Sequence, residues 1–375
     1  MFNHSDITRD MCMLRGKLRT KGYDWWWHSF TAEDEATGKE KPFFVEFFLC
    51  NPALAEDKPV FGQLPANKAA GKKPSYLMVK AGCWGEDHVQ LHRFFAWKDI
   101  EVHMNAPYSV SADDCFASET QLKGSVSVSG SASHPEWMCD DGEMSWDLQV
   151  NKQITFNVGY GASEPMRHAN AFEMYWHAEG MKTEYSGTVI FNGKRYTVKP
   201  ETCCGYADKN WGEDFTTPWV WLSSNDLTSM KTGKKLENSV FDIGGGRPAI
   251  FHVPLDRRLL GVFYYEGQEY DFNFSKLHLH VKTEFSFDED EENVYWHVRQ
   301  ESIHAIMETE ITCKKKDMLF VNYEAPDGSK HHNRLWNGGN GTGTVKLYRK
   351  SLHGTELIDE IRCAHTGCEY GEYDS

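Results

Sequence analysis

The chain has 375 residues, 14% of them aromatic, and a formal charge of -15 at neutral pH. Its length exceeds what one hydrophobic core usually supports, so two domains are expected. The acidic balance disfavours nucleic acid, whose binding needs clustered Lys and Arg to displace counterions, whereas 13 Trp, 16 Tyr and 22 Phe exceed what packing requires and point to a flat, apolar ligand.

Residues 1–10 carry acids and a His where an export signal would carry positive charge ahead of an apolar stretch. No run approaches the roughly 20 apolar residues that cross a bilayer, and the longest apolar cluster, at 42–50, is interrupted by Glu46. A cytoplasmic protein without stable membrane insertion is therefore expected. Its ten cysteines then read as free thiols, since that compartment is reducing. Helical periodicity is weak, and only residues 1–12 and 10–21 suggest a helix.

Short runs rich in Val, Ile, Thr, Tyr and Phe predict strands at 43–49, 121–129, 187–191, 195–199, 261–265, 269–274, 277–287, 293–298, 304–313, 319–323 and 343–348. Asn192-Gly193 between two of them predicts a two-residue hairpin, because both positions tolerate positive φ. The Lys-, Ser- and Gly-rich segment 225–238 reads as a hairpin loop or a connector, and the acidic run 288–292 as a solvated turn. An all-β architecture follows, with a break placed near residue 218 that divides the chain into domains 1–218 and 219–375.

Chemistry-bearing residues concentrate between 172 and 225. If 206–211 is extended, period 2 groups Tyr206, Asp208 and Asn210 on one face and Ala207, Lys209 and Trp211 on the other. The same rule groups Glu173, Tyr175 and His177 against Met174 and Trp176, and places Trp219 with Trp221. These are candidate cavity walls.

The pattern Gly205-Tyr206-x-Asp208-Lys209-Asn210-Trp211-Gly212, followed by Trp219-x-Trp221, resembles the tocopherol cyclase and carotenoid 1,2-hydratase group of lipocalin-like proteins. Trp176-His177 on the preceding strand and the hairpin at 187–193 keep the same order. The Trp-rich stretch 22–30 is a looser likeness, and Cys368-Glu369-Tyr370-Gly371 a faint one. The resemblance implies two lipocalin-like (calycin-like) antiparallel β-barrel or sandwich domains packed together around a ligand cavity. It also implies cofactor-independent addition of water or a phenol to an alkene, and isomerase or cyclase chemistry on isoprenoid or phenolic substrates. Carried over by position, the catalytic set is Asp208, Tyr206 and His177, with Trp176 beside them.

The residue chemistry supports the same set. Protonating an alkene needs a carboxylic acid kept neutral near pH 7, which burial achieves. Asp208 is the candidate acid, with Lys209 expected on the opposite face. A carbocation is best walled by aromatic faces, Trp above all, so Trp176, Tyr175, Asn210, Trp211, Trp219, Trp221 and Trp27 are the candidate substrate contacts. Tyr206 and His177 are candidates to relay a proton or orient the attacking hydroxyl. The same residues also admit a turn in which Asp208 and Asn210 bond local amides and Trp211 packs in a core. A carrier that only sequesters a hydrophobic molecule is the alternative function.

Cys363-x-His365-x-x-Cys368 offers three soft ligands, yet zinc normally needs a second pair with matching spacing, and none is evident. No metal or other cofactor is expected, Cys203-Cys204 has no base beside it in sequence, and the Gly-rich runs at 244–246 and 338–343 read as turns. A hydrophobic small molecule is the expected partner, and a homodimer is admitted.

Overall fold

The structure is a computed structural model that describes residues 7–156, 171–250, 253–254, 256–321, 323–328 and 334–372. The described chain is all-β and forms two large antiparallel sheets, of twelve and eleven strands.

The first sheet opens with a meander, β1 (Tyr23–Asp34), β2 (Glu40–Cys50), β3 (Tyr76–Cys83) and β4 (Val89–Phe95). It continues through β5 (Glu101–His103), β6 (Ser109–Ala112), β7 (Cys115–Ser118), β8 (Gln121–Val128), β9 (Gly142–Phe156), β10 (Met174–Phe191) and β11 (Lys194–Val198). Asn192 and Gly193, at φ 45° and 76°, make the β10–β11 turn that the Asn-Gly pair predicts. β12 (Gly205–Gly212) pairs with both β1 and β10, so it is an interior strand. The sheet curls until β4 meets β8 and β9.

The second sheet contains β13 (Trp219–Ser224), β14 (Asp226–Ser229), β15 (Val240–Gly246), β18 (Arg258–Tyr265), β19 (Gln268–Asp271), β20 (Lys282–Glu289), β21 (Asn293–Glu301), β22 (Ala305–Lys314), β23 (Leu319–Phe320), β24 (Arg334–Ser351) and β25 (Gly354–Glu372). Between β15 and β18, β16 (Ala249–Ile250) and β17 (Val253–Pro254) form a separate pair. β13 lies between β15 and β25. Strands up to Gly212 belong to the first sheet and those from Trp219 on to the second or to the small β16–β17 pair.

The apolar run in β2 shows how three cores arise. Phe43, Val45, Phe47 and Leu49 face the core inside the first sheet, whereas Phe44 and Phe48 face a core shared with Trp219, Trp221, Tyr323 and Leu335 of the second sheet. A strand covered on both faces must be apolar at consecutive positions, which explains the run. The third core fills the second sheet around Val220, Leu222, Phe241, Trp296 and Leu347.

Local expectations differ from the structure in several places: β3, β4, β9 and β25 lie outside the predicted runs, and the runs at 269–274 and 319–323 end as strand at Asp271 and Phe320. Residues 277–287 are not one strand: Leu277–Leu279 form a 3-10 turn and His280 takes φ 47°, so pairing begins only at Lys282. The 10–21 segment holds only the 3-10 turn Gly16–Arg19, whose first residue has φ 56°, outside the helical region. Segment 225–238 bears out the hairpin-loop reading over the connector: β14 turns back on itself, with Thr228 paired to Lys235, before β15 of the same sheet. No helix among the described residues is long and apolar enough to cross a membrane.

Candidate active site

β12 is buried along its whole length, and its alternation divides two chemistries. On one face Lys209 forms a buried ion pair with Asp24, with its ammonium 4.0 Å from the Trp26 ring centroid. Trp211 shares that face, 5.5 Å from the Lys209 ammonium, and stacks on Tyr175 at 5.5 Å. On the other face Tyr206 and Asp208 look towards the second sheet. Lys209 is thereby kept away from the Asp208 carboxyl.

Asp208 is 8% exposed and therefore out of bulk water. Its Oδ2 accepts hydrogen bonds from Trp176 Nε1 at 2.8 Å and from the Tyr206 hydroxyl at 3.1 Å. Oδ1 is buried without a hydrogen-bond partner among the described residues, and so is Nε1 of Trp27, the residue opposite Asp208 across the β1–β12 ladder. Burial pushes the Asp208 carboxyl up to about 7: the Trp176 and Tyr206 hydrogen bonds pull the other way, and the Glu369 charge adds to the rise.

Two carboxyls of the second sheet complete the cluster. Trp221 Nε1 donates to the Tyr206 oxygen at 3.2 Å and to Asp242 Oδ1 at 3.1 Å, and burial holds Asp242 well above the usual carboxylate range. Glu369 accepts from Trp219 Nε1 at 2.8 Å and from Asn337 Nδ2. Burial raises Glu369 to about 7, against the pull of those two donors. The nearby ammonium of Lys80 is committed to Glu46, at 2.8 Å. Three buried carboxyls thus lie close together with one neutralised cation, and burial favours their protonated forms relative to a carboxyl in water.

Asp208 and Glu369 line the same narrow cavity between the sheets, walled by Trp25, Trp27, Phe215, Trp219, Trp221, Tyr323 and Leu335. A second chamber adjoins it through Met174, Thr216 and Trp219, and is bounded by Phe172, Tyr175, Trp176, Pro248, Leu260, Phe274 and the exposed Arg258. A wider cleft, bounded by Cys12, Leu14, Arg15, Pro52, Trp97 and Met104, contains no carboxyl group.

The sequence candidates divide accordingly. Asp208, Trp27, Trp219 and Trp221 line the inner chamber, Tyr175, Trp176 and Trp219 the outer one, and Tyr206 braces Asp208 from behind. Asn210 lies on the Asp208 face but accepts a hydrogen bond from Tyr23 at 2.7 Å, and lines neither chamber. Trp211 lies on the far face with Lys209. His177 is fully buried in another network, 3.0 Å from Asp10 Oδ1, with the Lys152 ammonium 2.7 Å from Asp10, Glu119 and Glu179. The structure keeps His177 and Trp176 on opposite faces, as alternation expects, and thereby corrects the set carried over from the resemblance: Trp176 bonds Asp208, and His177 does not stand beside it.

Asp242 and Glu369 were not singled out from sequence. For Asp242 the available signal is that it is a lone acid among apolar residues and glycines of its strand; Glu369 shares β25 with four other acids and carries no such signal.

A family model described as tocopherol cyclase-like matches residues 117–372, well over half of the chain. No curated protein matches. Two crystal structures are similar in fold. One is an AttH protein of Nitrosomonas europaea, 12% identical with TM-score 0.43, covering 92% of each chain. The other is kievitone hydratase of Nectria haematococca, 11% identical with TM-score 0.44, covering 94% of this chain and 89% of that one.

Proposed function

Because the chain belongs to the tocopherol cyclase-like family, we propose that it is an enzyme adding an oxygen nucleophile across an alkene or enone of a hydrophobic phenolic or isoprenoid molecule. The chemistry is acid–base and needs no cofactor, since two carboxyls balance its protons. One observation carries this reading: Asp208 Oδ1 is buried at the cavity without a hydrogen-bond partner among the described residues, on a carboxyl raised to about 7.

Protonated Asp208 delivers its proton to one carbon of the double bond; the C–H bond forms as the π bond breaks, and the other carbon becomes cationic. The faces of Trp27, Trp219 and Trp221 stabilise that charge without attacking it. A phenol oxygen of the same substrate, or a water, then forms the C–O bond, and ionised Glu369 takes its proton. Return of that proton to Asp208 restores the pair, so the reaction consumes no net proton or electron. Trp176 and Tyr206 occupy Oδ2 and so leave Oδ1 as the reactive oxygen. Trp27 Nε1 is available to donate to a substrate oxygen.

Native mass spectrometry of the purified protein identifies any co-purified molecule. That molecule, together with a panel of prenylated phenols, is then incubated with wild type and Asp208→Asn and followed by chromatography. Conversion by wild type with loss in the variant, at unchanged ligand affinity, is expected. Equal conversion by both would remove the catalytic role of Asp208, and binding without conversion by either would leave a carrier.

A further inference from the structure

Outside the cavity, three side chains with metal-ligating chemistry converge where the two sheets meet. Cys204 immediately precedes β12, Asp226 opens β14 and His365 lies within β25. Their ligand atoms all lie within 4.8 Å of one another, and each residue is partly buried. His365 leaves regular strand geometry at φ 45°, where the β24–β25 register shifts, while Cys363 and Cys368 on either side face the core of the second sheet. The soft ligand beside His365 therefore comes from a distant part of the chain.

The two imidazole nitrogens have distinct partners. Nδ1 lies 2.7 Å from Asp226 Oδ2, and Nε2 lies 2.5 Å from Glu40 Oε1. A carboxylate on the outward nitrogen is the arrangement that fixes the tautomer of a metal-bound histidine and raises its basicity. Lys235, 3.4 Å from Asp226 Oδ1, holds the other carboxylate oxygen and leaves Oδ2 on the inner side.

We propose that Cys204 Sγ, Asp226 Oδ2 and His365 Nδ1 form a binding site for a divalent metal of zinc type, with Glu40 orienting the imidazole. One thiolate and one carboxylate balance the charge of the ion, and a thiolate, imidazole and carboxylate set suits tetrahedral Zn²⁺ rather than Mg²⁺ or Ca²⁺. Solvent completes the fourth position at this partly exposed rim. Binding replaces the His365–Asp226 hydrogen bond, and the protons of the imidazole and of the thiol are released. The ion would join the sheets four residues before each cavity carboxyl, Asp208 and Glu369, at the start of β12 and within β25. This role is independent of the proposed catalysis.

Cobalt(II) tests the site, because a thiolate ligand produces an intense near-ultraviolet charge-transfer band. Chelator-treated wild type is expected to take up one cobalt with that band and to melt at a higher temperature with zinc. Cys204→Ser should lose the band, Glu40→Gln should bind about 10-fold more weakly, and Cys139→Ser, in the loop before β9, should behave as wild type. Absence of the band in wild type, or its persistence in Cys204→Ser, would overturn the proposal and leave His365 as an ion-pair link between the sheets.

Discussion

Asp208 and Glu369 face one cavity from two different sheets, and each carboxyl accepts a hydrogen bond from a tryptophan indole, Trp176 in one case and Trp219 in the other. The two indoles meet edge to face, with centroids 6.2 Å apart. Two carboxyls are thereby held across an aromatic-walled cavity by matched donors.

Asp208→Asn removes the transferable proton and keeps the shape. We expect kcat to fall by roughly 10²–10⁴, the usual contribution of a positioned acid, while fluorescence titration shows ligand affinity unchanged.

Asp208 and Glu369 both sit near 7, each raised by burial, and the charge of Glu369 adds to the rise at Asp208. Catalysis needs one protonated and the other ionised, so kcat should follow a bell centred near pH 7 whose limbs belong to the pair. Glu369→Gln removes one charge: the acidic limb should vanish and the alkaline limb move to lower pH. Rate profiles from pH 5 to 9 check both shifts, and an unmoved alkaline limb would contradict the pairing.

Stability should carry the same signature with a definite sign. The folded-state value of Asp208 lies above the roughly 3.9 of an unfolded aspartate. The native state therefore binds more protons between these values, and its advantage is present in acid and lost as pH rises through about 7. The slope is at most about 1.4 kcal/mol per pH unit for this group. Urea denaturation from pH 4.5 to 7.5 should show a smaller decline in Asp208→Asn than in wild type.

Trp176→Phe deletes the indole donor that favours ionised Asp208. The alkaline limb of the rate profile should move upward, by contrast with Glu369→Gln. A modest stability cost, on the order of 1–2 kcal/mol for a buried hydrogen bond to a carboxyl, should accompany it in thermal melts.

His177→Gln disturbs the Asp10–Lys152 network of the first sheet. We expect a stability loss of about 2–4 kcal/mol, as for breaking a buried charge network, with an unchanged pH–rate profile in the folded protein. A shifted profile would restore a catalytic part for this histidine.

The strand runs, the Asn192-Gly193 turn and the two faces of 206–211 were legible in the sequence because each depends on local backbone geometry. Period-2 alternation and positive-φ tolerance belong to neighbouring residues and need no partner. Tyr206, Asp208, Trp176, Trp219 and Trp221 could be named for that reason, and their motif carried the family as well. What alternation cannot reveal is which face meets which sheet. Only the packing of β12 against β13 and β25 joins Asp208 to Glu369, 161 positions later, sends His177 into a different buried network, and pairs Cys204 with His365 instead of Cys363 or Cys368. Burial and charge repulsion act through space, so the burial that raises Asp208, and the Glu369 charge that adds to it, exist only once both sheets have closed on each other.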